Sequence, residues 1–447
     1  MTDSSRSVNR ATAQIALRRP RPLSSLREHL RDTFWFAPAV GLVGAAVLAG
    51  VCGIVDDAVL ARLREQRDLA GIRSLIDWTA NAEAVVGTIA SGMLSLVGVV
   101  FSISLVAVQI VSAQWSQRVV RLYVRDRTAK ATFSAFLATF VFALWAQFLN
   151  GGGSRDPATA REVPFVTSAV AVALVLVSLM LFVAYVSTTV SLLRVSRVIE
   201  KISRDAAKIL ALRSEPAVFD RTAPVSGTLA YRGRAGVLRD VHVARLCRIA
   251  QRQQVVVHLL PRIGDYLVPG APVFAVHGKP RSALDERAVL RTLNTGAERT
   301  FHEDMGFGLR QLVDIALKAL SPAVNDPTTA VQAIDRIQEF LTAAVDHPLG
   351  ILLHRDRAGA VRLAQDLPGW RGLVQLAFSE IRPAGAGHSQ VTRRLRAALE
   401  DLLRLAAHDR QGVLRRELEL LEQAVARTVA DEGERDFALT ADRQGIG

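Results

Sequence analysis

Residues 84–117 read AVVGTIASGMLSLVGVVFSISLVAVQIVSAQWSQ, 34 positions without an ionisable side chain between Glu83 and Arg118. As one helix this stretch would measure about 50 Å, against about 30 Å of bilayer hydrocarbon. It must tilt, break or project beyond the bilayer. Its polar residues form a row: Thr88, Ser91, Ser95, Gly98, Ser102, Leu105, Gln109, Ser112 and Ser116 alternate spacings of three and four. Such spacing draws one continuous stripe down a helix, broken only by Leu105. The stripe has two readings. Small residues let helices approach closely, their hydroxyls bonding across the contact or back to the carbonyl four residues earlier. Alternatively the stripe lines a watery path, alone or repeated around an oligomer axis. Both readings predict that this helix is the innermost of its bundle.

Working outward, further apolar runs lie at about 34–55, 131–150 and 164–193, so with the helix at about 84–112 the chain is expected to have four transmembrane spans. None contains Asp, Glu, Lys, Arg or His. Proton relays, voltage sensors and most ion-coupled transporters need such groups at depth, so their absence argues against those classes. Gln109 and Gln147 are the most polar side chains in or near the spans. Basic residues concentrate before the first span, between the second and third (Arg118, Arg121, Arg125, Arg127, Lys130), and after the fourth (Arg194, Arg197, Lys201, Arg204, Lys208). By the positive-inside rule both termini are cytoplasmic and residues 56–83 form an external loop.

The chain has 447 residues, a formal net charge of +13 and two cysteines. Only five of its 55 basic residues are Lys (130, 201, 208, 279 and 318), a bias expected of a GC-rich genome. With no nucleic-acid-binding motif, the charge does not predict a nucleic-acid partner. Cys52 falls in a span and Cys247 in a soluble part, so no disulfide is expected. The basic lead of about 35 residues is long for a signal peptide. Val51 is too bulky for lipoprotein cleavage before Cys52, and an uncleaved first span is expected.

The expected organisation is a basic segment (1–33), a four-helix transmembrane domain (34–193), a helical extension (194–223), a small β-rich domain (224–280) and a mainly helical domain (281–447). This is an α-helical integral membrane protein with a C-terminal cytoplasmic α+β domain. In the β-rich part, strands are predicted at 225–231, 254–260, 266–268 and 272–276, with Asp240 capping a short helix. Gly264–Gly270 resembles the hairpin of barrel-sandwich domains of the biotinyl and lipoyl type, but no lysine stands at its tip to carry a prosthetic group. Residues 283–347 read as helical. Leu309, Leu312, Val313, Ala316 and Leu320 form one apolar face, and Val331, Ile334, Ile337, Phe340 and Leu341 the next. Between them Pro322 ends one helix, and Asp326-Pro327 starts another as N-cap and first-turn proline. Residues 349–367 suit two short strands, and 390–407 and 411–430 two amphipathic helices, the second with a seam of Leu414, Leu418, Leu421, Val425 and Val429.

Three stretches together resemble a bacterial family of predicted membrane proteins, the domain-of-unknown-function 2254 family. They are Val99–Gln109, Phe307–Ala330 and the closing Asp442-Arg443-Gln444-Gly445. The second, with Arg310, Asp314, Ser321, Pro322, Asn325, Asp326 and Pro327, is the most specific. The resemblance implies a multi-span membrane protein with a cytoplasmic domain. It carries no established activity, so no catalytic residue transfers.

Chemistry-bearing motifs are sparse. The helix start near Asn325, Thr328 and Thr329 has the form of an anion site, but the carboxylate of Asp326 competes for the same amides. His302-Glu303-Asp304 reads as a surface cluster, because adjacent helical residues point different ways, and His258 reads as a core histidine. There is no phosphate-binding loop, dinucleotide fingerprint or nucleophile elbow. No catalytic, cofactor or metal site is expected, and an enzyme is not predicted. The favoured reading is a homo-oligomeric passive channel of the bacterial inner membrane, lined by the second helix, with the lipid bilayer as its other partner. The alternative is a membrane-anchored, non-conducting scaffold or sensor that binds a cytoplasmic ligand or protein.

Overall fold

The structure is a computed structural model. It describes residues 36–66, 69–114, 127–150, 165–193, scattered positions between 197 and 220, 224–297, 299 and 305–444. The basic 1–33 segment, Arg118, Arg121, Arg125, most of 194–223, His302–Asp304 and the closing 445–447 lie outside the described residues. The chain divides into two compact units, one within 25–194 and one within 195–447.

Among the described residues the first unit holds four helices: α1 (Phe36–Glu65), α2 (Leu69–Gln114), α3 (Arg127–Asn150) and α4 (Phe165–Leu193). Each is long and apolar enough to cross a membrane. The expected loop at 56–83 is largely helix, because α1 runs to Glu65 and α2 begins at Leu69. Charges end an apolar run without ending a helix, and this stretch has no proline to break one. At 46 residues, α2 is about 70 Å long.

The innermost helix is α3, not α2. Thr132, Phe136, Thr139, Phe142, Ala143 and Ala146 of α3 are all buried. Phe142, Ala143 and Ala146 pack with Ala45, Ala49 and Cys52 of α1 and Ala171 of α4. Phe136 and Ala129 pack with Met93 and Val100 of α2 and Tyr185 of α4. Small residues on several sides of α3 let three neighbours approach at once. A Cβ on Gly41 of α1 would stand 3.1 Å from the Ser134 carbonyl oxygen, so any larger residue would have to part the two helices by a few tenths of an ångström at that crossing.

Polar side chains tie these helices together. Thr139 and Ser178 share a hydrogen bond of 2.9 Å, and Thr132 donates to the Leu181 carbonyl at 3.1 Å. Tyr185, fully buried, bonds Ser104 of α2 at 2.6 Å and lies 3.3 Å from the Val100 carbonyl oxygen.

The second unit joins two sheets to a helical layer. In chain order it holds β1 (Val225–Ala230), β2 (Gly236–Val241), α5 (Val243–Gln253), β3 (Val256–Leu259), β4 (Tyr266–Leu267), β5 (Pro272–His277), α6 (Glu286–Leu290) and β6 (Leu293–Gly296). Then follow α7 (Met305–Ala319), α8 (Pro327–Ala344), β7 (Ile351–Arg355), β8 (Val361–Asp366), α9 (Trp370–Phe378), α10 (Ile381–Gly385), α11 (Ser389–Leu405), α12 (His408–Thr428) and α13 (Glu432–Ala438). One sheet has order β1-β5-β3-β8-β7 and the other β4-β2-β6. The parallel pair β3–β8 joins residues 106 positions apart, such as Val257 and Leu363, so the sheet draws strands from well beyond residue 280. Leu238, Leu246, Val257, Phe274 and Leu363 are among its core residues.

Two local expectations are corrected. Asp240 ends no loop: β2 runs to Val241, and α5 is capped by His242, whose ring accepts from the Arg245 N–H. Residues 283–347 are not wholly helical, because Leu293–Gly296 pairs with β2. The apolar faces of α7 and α8 are buried as their period predicts. In the α12 seam Leu414, Leu421 and Val425 are buried within the chain.

Tyr185→Phe keeps the ring but removes the bond to Ser104. It should lower stability in detergent by about 0.6–2 kcal/mol. Thermal unfolding beside the parent checks this, and an unchanged midpoint would rule out the bond as a helix tie.

Candidate functional site

The stripe of α2 lies on the side of the helix that the other three helices leave uncovered. Thr88, Ser91, Ser95, Gly98, Ser102, Leu105 and Gln109 are all exposed. Among the described side chains of α2 the buried ones are Met93, Val100 and Ala107. Two residues along a helix is a turn of about 200°, so Gly98 and Val100 point to opposite sides. The first expectation therefore splits. The stripe does not pack α2 against α1, α3 or α4; that task falls to the opposite face. Ser91 donates back to the Gly87 carbonyl at 3.0 Å, the local satisfaction open to a membrane hydroxyl. The side chain of Ser112, that of Gln147 and the whole of Ser116 lie outside the described residues.

A second constellation was not anticipated. Asp56, treated as a loop charge in the sequence, is a buried residue of α1. Its carboxylate accepts from the Val166 N–H (2.6 Å), the Thr167 N–H (3.0 Å) and the Thr167 hydroxyl (2.7 Å). The first amides of α4 would otherwise lack acceptors, and a helix N-terminus favours negative charge. Trp78 of α2 packs on Phe165 with ring centroids 4.7 Å apart. Three helices thus meet at the start of α4. The only sequence signal was indirect: Arg161-Glu162-Val163-Pro164 supplies no Ser, Thr, Asp or Asn to cap that helix.

The motif residues of the second unit form a helix–turn–helix. Ser321 closes α7 by donating to the Lys318 carbonyl (2.7 Å), and Asn325 takes the left-handed backbone at φ 48° that Asn tolerates better than most residues. Asp326 caps α8 by accepting from the Thr329 N–H (2.9 Å) and hydroxyl (2.5 Å). The anion place considered there is therefore filled by the protein's own carboxylate. Pro327 occupies the first turn, and Pro322 is exposed. Arg310 donates to Asp314 at 2.7 Å and forks onto both oxygens of Glu380. That fork holds the Glu380 carboxyl below its ordinary range. His258 is the buried, satisfied histidine expected, 3.1 Å from Asp366. No cluster of three His, Cys, Asp or Glu suited to a metal occurs among the described residues.

Four apolar helices followed by a mixed helix–sheet unit, with polar ties inside the bundle and an open polar stripe outside it, are the architecture of a predicted membrane protein with a sizeable C-terminal domain. The chain belongs to DUF2254, a family of predicted membrane proteins, whose model matches residues 31–401. Uncharacterised proteins of Mycobacterium bovis and Mycobacterium tuberculosis are similar to it, each 26% identical over 440 residues, covering 93% of this chain and 81% of the relative. No solved structure matches it significantly.

Asp56→Ala strands buried donors and should cost about 2–3 kcal/mol. Asp57→Ala, at an exposed neighbour, should stay within about 0.5 kcal/mol. Thermal unfolding of both variants in detergent decides; equal losses would deny Asp56 its special place. The Arg310–Glu380 tie contributes stability above the unfolded pKa of Glu380, and this is lost as pH falls through its lowered folded value. Glu380→Gln should therefore flatten the acid limb of a stability–pH profile, and an unaltered limb would show that the fork contributes nothing measurable.

Proposed function

We propose that this chain is the protomer of a homo-oligomeric protein of the bacterial inner membrane, with α1–α4 spanning the bilayer and both termini in the cytoplasm. The α2 stripes of neighbouring copies surround a central axis and line a passive polar pathway. Leu105 is its apolar constriction, and the C-terminal unit serves assembly and regulation. One observation carries this reading: the seven described stripe residues are exposed on the side of α2 opposite its packed face. Gln109 facing lipid would be costly, whereas a partner helix or water satisfies it. Passive conduction needs no ionisable carrier in the spans. No reaction is assigned to the chain.

A second reading, a non-conducting scaffold or sensor, draws on the 321–326 turn. Its Pro322, Val324 and Asn325 are exposed although they lie in the long family motif. Exposed, irregular residues of this kind suit recognition better than packing.

Flux of ions and small solutes into liposomes holding the purified chain separates the two. A pathway along α2 predicts flux that Gln109→Leu and Ser102→Leu change by about tenfold, the effect of about 1.4 kcal/mol on a barrier. Flux that both variants leave untouched would remove α2 from the pathway. No flux across ions, pH and osmotic tension would favour the scaffold.

A further inference from the structure

We propose that one end of the β-sheet unit, formed by the 231–236 and 266–271 turns, docks on an anionic lipid surface. The proposal does not rest on conduction along α2. The two turns are fastened together: Tyr231 N–H donates to the Ala271 carbonyl and Gly270 N–H to the Tyr231 carbonyl, both at 2.8 Å. Gly270 manages this at φ 89°, a backbone that favours glycine. β4 is only Tyr266–Leu267, paired with Val237 and Gly236 of β2. Leu267 points into the core, so alternation sends Tyr266 and Val268 outward. They are 66% and 49% exposed.

Single exposed apolar side chains are ordinary on protein surfaces. Here a phenol and a branched alkyl group share one edge with exposed guanidinium groups. Arg232 and Arg234 stand in the neighbouring turn, and Arg262 precedes β4. Arg232 has an exposed partner in Glu286 at 2.9 Å. Among the described residues no carboxylate pairs with Arg234 or Arg262. Asp265 is the acid closest in sequence, and one of its oxygens is engaged by the Arg262 N–H at 2.8 Å. Residues 224–297 carry eleven Lys and Arg against four Asp and Glu.

Tyrosine at headgroup depth, a branched side chain at the acyl boundary and arginine on phosphate are the components of an interfacial anchor. Each arginine near an anionic surface strengthens partitioning about fivefold. The apolar patch is too small for a stable protein–protein contact, which needs about 1,000 Å² in total. Tyr266 alone gives no stacking platform for single-stranded nucleic acid.

The test uses the full chain in nanodiscs of neutral lipid, with and without phosphatidylglycerol. A polarity-sensitive dye is attached at Val268→Cys; the native Cys52 and Cys247 are buried. In anionic discs emission should shift to the blue and the iodide quenching constant should fall about twofold or more. Arg234→Glu with Arg262→Glu should restore the neutral-disc values. A dye at Val324→Cys should not respond. A second label at the exposed Pro269→Cys reads the same tip if Val268→Cys disturbs folding. Equal quenching in both disc types would overturn the proposal. The same protection from inorganic phosphate or an oligonucleotide in neutral discs would also overturn it, by showing that the tip takes a soluble anion.

Discussion

A buried backbone amide without water must find its acceptor in the protein, and at the start of α4 the acceptor comes from another helix. Asp56 reaches from α1 to take two amides and a hydroxyl there. The same demand accounts for the other polar contacts of the bundle. Thr139 meets Ser178, Thr132 meets the Leu181 carbonyl, and Tyr185 meets Ser104. Each contact joins α4 to α1, α2 or α3. The polar groups of these four contacts are satisfied inside one chain, and apolar packing around α3 does the rest. The α2 stripe stands apart because its seven described residues are exposed, on the side of α2 away from its buried positions. In a bilayer, a row of hydroxyls, glycine and an amide on an open face suits contact with another helix or with water.

The second unit solves the same problem with local caps and ion pairs. Two of its helix starts are closed by their own neighbouring carboxylates, Asp326 at α8 and Asp285 at α6. Its charged groups are mostly paired near the surface, as in the Arg310–Glu380 fork. One buried tie, Arg382 to Glu417 at 3.2 Å, joins α10 to α12. Breaking such a pair costs more than forming it contributes, so it specifies how these helices meet more than it stabilises them.

Much of this was legible in the sequence. Apolar period located the four long helices and the inner faces of α7 and α8, and the Asp-Pro pair located the start of α8. What failed depended on distance along the chain. Nothing in residues 34–55 says that the next residue, Asp56, will cap a helix over a hundred positions later. Charge was mistaken for a loop at 56–83, where helix propensity outlasts hydrophobicity. β2 and β6 were missed because strands this short are specified by their pairing. The stripe was seen exactly as a pattern, but periodicity alone does not say which face of a helix its neighbours cover. The exposed Gly98 and buried Val100 answer that, and they move the innermost place from α2 to α3.

The central claim is that the α2 stripe faces another copy of the chain. Disulfide cross-linking of single-cysteine variants in native membranes tests it most directly, with substitutions placed in turn at Ser95, Gly98, Ser102, Leu105, Val99 and Val106. The account predicts covalent dimers at the four stripe positions, with the spacing of three and four, and little at Val99 or Val106. Cross-linking without that period, or none at the stripe, would contradict it.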